Sequence, residues 1–234
     1  MNLLEVADLR SGYDGIPVVV GLSLKVHERE FVGILGHNGM GKTTLLRTLI
    51  GLLPATSGEI RFQSASIGRD PPHRRVRAGI GYVPQGRGIF PGLTVRDNLR
   101  FAAVAVGRGD NLASILDEFP RLAALLDRPG GALSGGEQQL LAIARALIQE
   151  PKIVLLDEPT EGIQPSIIED IIDLLKLLRR RRGLTILLVE QNIDFIKALS
   201  DRVLLIQKGT IVREFATNGI SDAAAMGDFG DVAG

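Results

Sequence analysis

Along the chain, short apolar runs alternate with longer stretches in which apolar residues recur every three or four positions. "EFVGILG", "KIVLLDE" and "TILLVE" are six or seven residues long and show little alternation. Parallel strands buried on both faces read this way, so a parallel sheet is the expected core. Between two of these runs lies "SIIEDIIDLLKLLRRRRG", apolar at helical intervals. Ser166 and Glu169 have capping-box spacing, and Gly183 can supply a left-handed C-cap. A crossover helix is predicted there, with Arg179 to Arg182 as a solvated basic end that favours the helix dipole. The opening, "LLEVADLRSGYDGIPVVVGLSLKVHERE", is broken by Gly, Pro and Asp into shorter, more alternating segments, which suits an antiparallel sheet. Residues from about Leu93 to Glu150 read as mostly helical. The expected organisation is a single α/β unit, its core formed by residues 1–92 and 151–216 with a helical subdomain inserted at about 93–150. The last stretch, "ATNGISDAAAMGDFGDVAG", is small, acidic and weakly periodic, so residues 217–234 are expected to form a frayed tail.

Composition narrows the class without changing that outline. The 234 residues are 45% hydrophobic, and 27 basic side chains balance 27 acidic ones. Zero net charge removes the bulk attraction that a basic chain has for nucleic acid, and no nucleic-acid partner is implied. With no cysteine, any metal must sit on oxygen or histidine ligands. The amino terminus "MNLLEVADLR" carries acids and no basic leader, and no apolar run reaches the length of a membrane-spanning helix.

Chemistry concentrates at four places. "GHNGMGKTT" follows the strand "FVGIL" and matches G-x-x-x-x-G-K-[ST], with Gly36, Gly41, Lys42 and Thr43 in register. Such a loop turns successive N–H groups around phosphate oxygens. Lys42 reaches the outer phosphates, and the Thr43 hydroxyl can bind Mg²⁺. A bare glycine-rich turn explains the glycines but not Lys-Thr at that spacing, and "GHNGMG" lacks the spacing of a dinucleotide site. "KIVLLDEPT" ends a strand on Asp157 and Glu158, one carboxylate placed for a metal and the next for an attacking water. "LSGGEQ" pairs Ser134 with Glu137 at capping-box distance. Gly135 and Gly136 in the first helical turn would weaken that helix by about 1 kcal/mol each, unless bare backbone must approach something such as a phosphate from another chain. Finally, "LLVEQN" stops an apolar strand at Glu190, Gln191 and Asn192. Either the chain returns to water there, or the cluster points into a site beyond the strand ends.

In that order and spacing, "GHNGMGKTT", "YVPQ", "LSGGEQ" and "VLLDEP" resemble the nucleotide-binding subunit of ATP-binding cassette (ABC) transporters over nearly the whole chain. The resemblance implies a P-loop NTPase fold with an antiparallel β subdomain and an inserted helical subdomain. It also implies hydrolysis of ATP with Mg²⁺, and head-to-tail pairing with a second cassette, identical or different. Two membrane permease subunits and a periplasmic or surface solute-binding protein would complete the complex, with this chain on the cytoplasmic face of the membrane. It implies ATP contacts from Gly36, His37, Asn38, Gly39, Gly41, Lys42, Thr43 and Thr44, and adenine stacking on Tyr13. Ser134, Gly135, Gly136 and Glu137 would touch ATP held by the partner, Thr43, Gln85 and Asp157 would serve the metal, and Glu158 would act on water. Two positions depart from the pattern: Gln191 stands where the family usually has a γ-phosphate-contacting histidine, and Gln164 where it has an aspartate. Glutamine cannot supply a cation, which leaves a nucleotide-gated cassette with little turnover as an alternative. A soluble non-transport cassette is another. "VEQN" and "GIGYVPQGRGIFPGLTVRDNL" are similar to the smaller cassette of branched-chain amino acid importers, while "TEGIQPSII" looks more like the urea and short-amide branch, which is the favoured expectation.

Overall fold

The computed structural model describes residues 1–107 and 111–217, so the frayed tail expected over 217–234 lies, beyond Thr217, outside the described residues. Among the described residues ten strands run in chain order: β1 Asn2–Tyr13, β2 Ile16–His27, β3 Phe31–Leu35, β4 Ala55–Phe62, β5 Ala65–Ser66, β6 Ile80–Val83, β7 Ile153–Asp157, β8 Thr185–Glu190, β9 Arg202–Gln207 and β10 Thr210–Ala216. The helices are α1 Lys42–Ile50, α2 Pro72–Ala78, α3 Val95–Ala105, α4 Leu112–Glu118, α5 Pro120–Ala123, α6 Gly135–Leu147, α7 Pro165–Arg182 and α8 Ile193–Leu199.

The strands form two sheets. A six-stranded sheet has the order β10-β9-β3-β8-β7-β6, all parallel except β10 at its edge. Its central strands look uniformly apolar, yet their side chains divide by period two. Val154, Leu156, Ile186 and Leu188 enter one core with the helices α3 to α8. Ile153, Leu155, Leu187 and Val189 enter a second core with α1 and the other sheet. Burial on both faces removes the polar alternation, so the run itself is the signature of the sheet's centre. The strands "IGYV" and "RVLLIQ" complete this sheet. The first carries a glycine and a tyrosine and the second is flanked by Arg and Gln, so neither stood out by composition.

The second sheet is antiparallel, in the order β2-β1-β4-β5. Its first two strands are 12 residues each, longer than the broken sequence suggested, because bulges absorb the polar interruptions between Val6 and Gly12 without ending the pairing.

Two local expectations are corrected and one holds. Helix α7 begins one residue before Ser166, with Pro165 at its first position and Gln164 as a cap that makes no side-chain bond; proline with its fixed φ starts the helix and the Ser166/Glu169 box is not used. Gly183 does close it in the left-handed region, at φ 61°. The arginine run is only half solvated: Arg180 and Arg181 are exposed, whereas Arg179 pairs with Asp201 at 2.6 Å and lies over the Phe31 ring, and Arg182 pairs with Glu118 at 2.7 Å.

The helix that starts at the glycine-rich loop is anchored at its far end by a buried arginine. Arg75, 3% exposed, donates to Thr48 O and Leu49 O, both at 2.9 Å, to Asp70 O at 2.8 Å and to Gly68 O at 3.0 Å. Gly51 ends α1 in the left-handed region, its N–H bonded to Thr48 O at 3.1 Å, and the guanidinium satisfies carbonyls of the last turn that lack full partners within the helix. Replacing Arg75 with Ala is expected to lower the free energy of unfolding by about 1.5–3 kcal/mol, read from the midpoint of urea denaturation. An unchanged midpoint would mean that solvent satisfies those carbonyls equally well.

Candidate nucleotide site at the strand ends

Register brings the polar strand ends to one level. Leu35 lies opposite Glu190, and Asp157 opposite Val189; the loops after β3, β7 and β8 therefore emerge side by side, with the loop after β6 next to β7. Beyond β3 the chain turns through residues 36–41 into α1, with Gly39 at φ 79° and Gly41 at φ 98°. Gly41 occupies the cap position in a left-handed conformation that side chains rarely adopt.

These ends open on a cleft of about 460 Å³ lined by Tyr13, Val18, Asn38, Gly39, Gly41, Lys42, Thr43, Thr44, Gln85 and Glu158. Tyr13 is 39% exposed at its rim. The Lys42 ammonium is saturated: it donates to Gly36 O at 2.6 Å and His37 O at 2.9 Å, and it pairs with Glu158 at 2.9 Å. Both side chains of that pair are buried, 3% and 6% exposed. Removing one partner of such a pair strands the other charge, which costs far more than the pair itself contributes.

Asp157 is gripped on both oxygens. The Thr43 hydroxyl donates to Oδ1 at 2.9 Å and the Tyr82 hydroxyl to Oδ2 at 3.0 Å. Burial nonetheless pushes the Asp157 carboxyl up from its ordinary value, against the pull of those two donors. Burial also raises the Tyr82 phenol, helped by the Asp157 charge. The Gln85 amide donates to Glu161 at 3.0 Å and, at 3.4 Å, to Glu158. Glu158 itself has φ 45°, a left-handed conformation that costs about 1–3 kcal/mol in a residue with a side chain and persists only where its surroundings fix it.

Ser134 and Glu137 form the expected capping box, with Glu137 N donating to Ser134 Oγ at 3.3 Å and Ser134 N to Glu137 Oε2 at 2.8 Å. The Ser134 bond holds the Glu137 carboxyl below its usual range. The glycines between them have a cause inside the chain. A Cβ on Gly136 would lie 2.5 Å from Ile167 Cγ2 of α7, and one on Gly135 would lie 3.0 Å from the Arg87 guanidinium. Close helix packing alone thus requires Gly136. Neither these residues nor Gln191 line the cleft; Ser134 and Gln191 are exposed.

The run "LLVEQN" therefore divides. Gln191 faces solvent, Asn192 caps α8 by accepting from Phe195 N at 3.0 Å, and Glu190 turns inward, 1% exposed. Tyr82, Arg75 and Glu190 were not singled out as site residues by sequence, since a phenol, a guanidinium and a carboxylate at these positions announce their partners only once the sheet is assembled. A larger cleft of about 550 Å³ lies at the amino-terminal end of the same sheet, lined by Arg29, Lys152, Arg182 and Thr185 among others, and it holds none of the motif residues.

A glycine-lined loop before a helix, a buried lysine, a hydroxyl beside a buried carboxylate and a second carboxylate at the wall form a site suited to a nucleoside triphosphate. Comparison with known proteins agrees. Residues 19–161 match the family described as ABC transporter. The chain is 37% identical over 212 residues, 89% of its length and 90% of the relative's, to a probable branched-chain amino acid transport ATP-binding protein, LivF, of Archaeoglobus fulgidus. It is 40% identical over 213 residues, 90% of its length and 91% of the relative's, to the high-affinity branched-chain amino acid transport ATP-binding protein BraG of Pseudomonas aeruginosa. It is also 38% identical over 218 residues, 91% of its length and 90% of the relative's, to the lipopolysaccharide export ATP-binding protein LptB of Escherichia coli K12. Among solved structures it resembles an ATP-binding cassette of an ABC transporter, MJ1267, with TM-score 0.84 at 26% identity over 98% of this chain and 99% of that one. It is similar as well to a dimeric post-hydrolysis state of the cassette MJ0796 bound to ADP and Pi, with TM-score 0.82 at 27% identity over 93% of this chain and all of that one. With the fold, the cleft and these relatives in agreement, the chain belongs to the ABC transporter family, as an ATP-binding subunit that hydrolyses ATP.

Proposed function

We propose that this subunit powers import of branched-chain amino acids, or of a small amide such as urea, as one of two paired cassettes on the cytoplasmic side of separate permease subunits. The observation that carries the reading is the convergence of Lys42, Thr43, Gln85 and Glu158, from three distant segments, on one cleft. The names of the relatives at 37% and 40% identity support branched-chain amino acids, while the segment "TEGIQPSII" keeps the short-amide branch in play. A likeness of 38% to LptB means that overall similarity does not select the solute. Solute choice therefore belongs to the permease and a separate solute-binding protein.

In this reading the triphosphate enters between the loop N–H groups and Lys42, with the adenine on Tyr13 and contacts from Gly36, His37, Asn38, Gly39, Gly41 and Thr44. Lys42 exchanges Glu158 for phosphate oxygen, and the released Glu158 carboxylate takes a proton from the attacking water. Mg²⁺, held by Thr43, Gln85 and, through water, Asp157, would neutralise phosphate charge. The fit is good: a buried carboxylate bonded to a hydroxyl suits a hard cation, and Mg²⁺ commonly takes only one or two protein ligands beside phosphates. Among the described residues no three His, Cys, Asp or Glu side chains converge on a metal position, which leaves the phosphates to complete the shell. Ser134, Gly135, Gly136 and Glu137 would contact ATP held by the partner cassette, and Gln191 would position the γ-phosphate without adding charge.

For the permease, the surface of α3 and the loop before it supports a docking face. Phe101 and Val104 are 57% and 73% exposed, and Phe90, which packs edge-on to Phe101, and Leu93 add to the same apolar surface. The loop runs from Gln85, so the nucleotide cleft and this face share one segment. No helix among the described residues is long and apolar enough to cross a membrane.

Lys42→Ala is expected to weaken Mg-ATP binding and abolish turnover, measured by equilibrium titration and phosphate release; parental affinity and rate would remove the lysine from the phosphate cradle. Glu158→Gln is expected to lower hydrolysis by about 10²–10⁴ while ATP affinity is kept, and to leave a deletion strain unable to take up labelled leucine or urea that the parent gene restores. Parental uptake of that same solute by the variant would show that another group activates water. Val104→Asp is expected to reduce co-purification with the permease subunits at unchanged ATP affinity; undiminished recovery of the complex would place the docking face elsewhere.

A further inference from the structure

Glu190 has no role in the scheme above, yet it touches three segments of the site. Its Oε1 accepts from the N–H and the hydroxyl of Thr160, at 3.0 and 2.5 Å, two residues beyond Glu158. Its Oε2 accepts from the N–H groups of Gln191 and Asn192, at 2.8 and 3.1 Å, where α8 begins. Its backbone carbonyl accepts from Gly36 N at 3.3 Å, where the glycine-rich loop begins. Each carboxylate oxygen thus serves a different loop.

The residue type fits that geometry. A carboxylate accepts on both oxygens and donates on neither, and a buried charge needs such donors around it. An amide of the same shape would turn an NH₂ group toward one of the two loops and lose that side. The loop it holds is the strained one: Glu158 sits in the left-handed region, bonded through its N–H to Val189 O at 3.0 Å. The next anchor along the loop is Thr160 on Glu190. Without it, the chain from Glu158 onward has a lower-energy backbone to relax into.

We propose that Glu190 is a positioning residue for ATP hydrolysis: through Thr160 it holds Glu158 at the cleft wall. This rests on Glu158 as the group that activates water. The test uses the complete transporter, with Glu190→Gln and Thr160→Val made singly and in the Glu158→Gln background, followed by steady-state and single-turnover hydrolysis. Glu190→Gln is expected to lower kcat about ten- to hundredfold, because a displacement of about 1 Å at a reacting group costs that much, with KM for ATP within about threefold of the parent. Thr160→Val removes one of the two donors on one side and is expected to lower kcat about three- to tenfold. Neither change is expected to slow the Glu158→Gln enzyme further, since the position of an absent carboxylate has no effect. Parental kcat in both single variants overturns the proposal, as does a loss confined to KM or an equal further loss in the Glu158→Gln background. Should Glu190→Gln fail to fold, Thr160→Val decides by the same criteria. Parental hydrolysis in Glu158→Gln alone overturns the underlying assignment of the water-activating group, and is visible without any change at Glu190.

Discussion

The register of the parallel strands β3, β8 and β7 is the constraint on which the site depends. Leu35 faces Glu190 and Val189 faces Asp157, so the glycine-rich loop, the Asp157–Glu158 pair and the inward-turned Glu190 leave the sheet at one height. Side chains in these strands alternate between two cores, and a slip of one residue would exchange the faces of every one of them. The hydrophobic cost of that exchange protects the polar geometry at the ends. The same layers fix α1: its start carries Lys42 and Thr43, and its end is held by the buried Arg75.

In the cleft the charged groups are paired with one another. Lys42 and Glu158 neutralise each other at 2.9 Å, and Thr43 and Tyr82 close on Asp157. A ligand must replace these bonds with equivalent ones, and in the proposed reading a triphosphate carrying a divalent cation would do so on both sides: phosphate oxygens for the ammonium, a metal for the carboxylate. A neutral ligand offers neither exchange and would leave two buried charges separated. Selectivity for the charged ligand would follow from the groups that pair with one another in the cleft.

What was legible in the sequence follows the range of the interaction. The glycine-rich loop, the strand ending in Asp157 and Glu158, and the Ser134/Glu137 box are patterns spelled out by a few consecutive residues, and the structure forms the loop, the strand and the box where they were read. The parallel core was legible because burial on both faces strips polar residues from β3, β7 and β8. Interactions between distant segments were not. Nothing local states that Gly136 must clear Ile167, that Arg179 and Arg182 find Asp201 and Glu118, or that Lys42 meets Glu158. In "LLVEQN" composition showed three polar residues, but only the assembled sheet decides which of them turns inward, and it is Glu190 rather than Gln191. Proline at the first turn of α7 overrode a serine that had the right spacing to cap it.

On the proposed reading, ATP binds by replacing the Lys42–Glu158 pair within this cleft. A crystal structure of the subunit with Mg²⁺ and a non-hydrolysable ATP analogue would show the exchange. Lys42 Nζ is expected within hydrogen-bonding distance of the outer phosphates, with Glu158 released from it and facing the γ-phosphate, and the adenine against Tyr13. A nucleotide bound with the Lys42–Glu158 pair intact, or bound outside the cleft, would rule the exchange out.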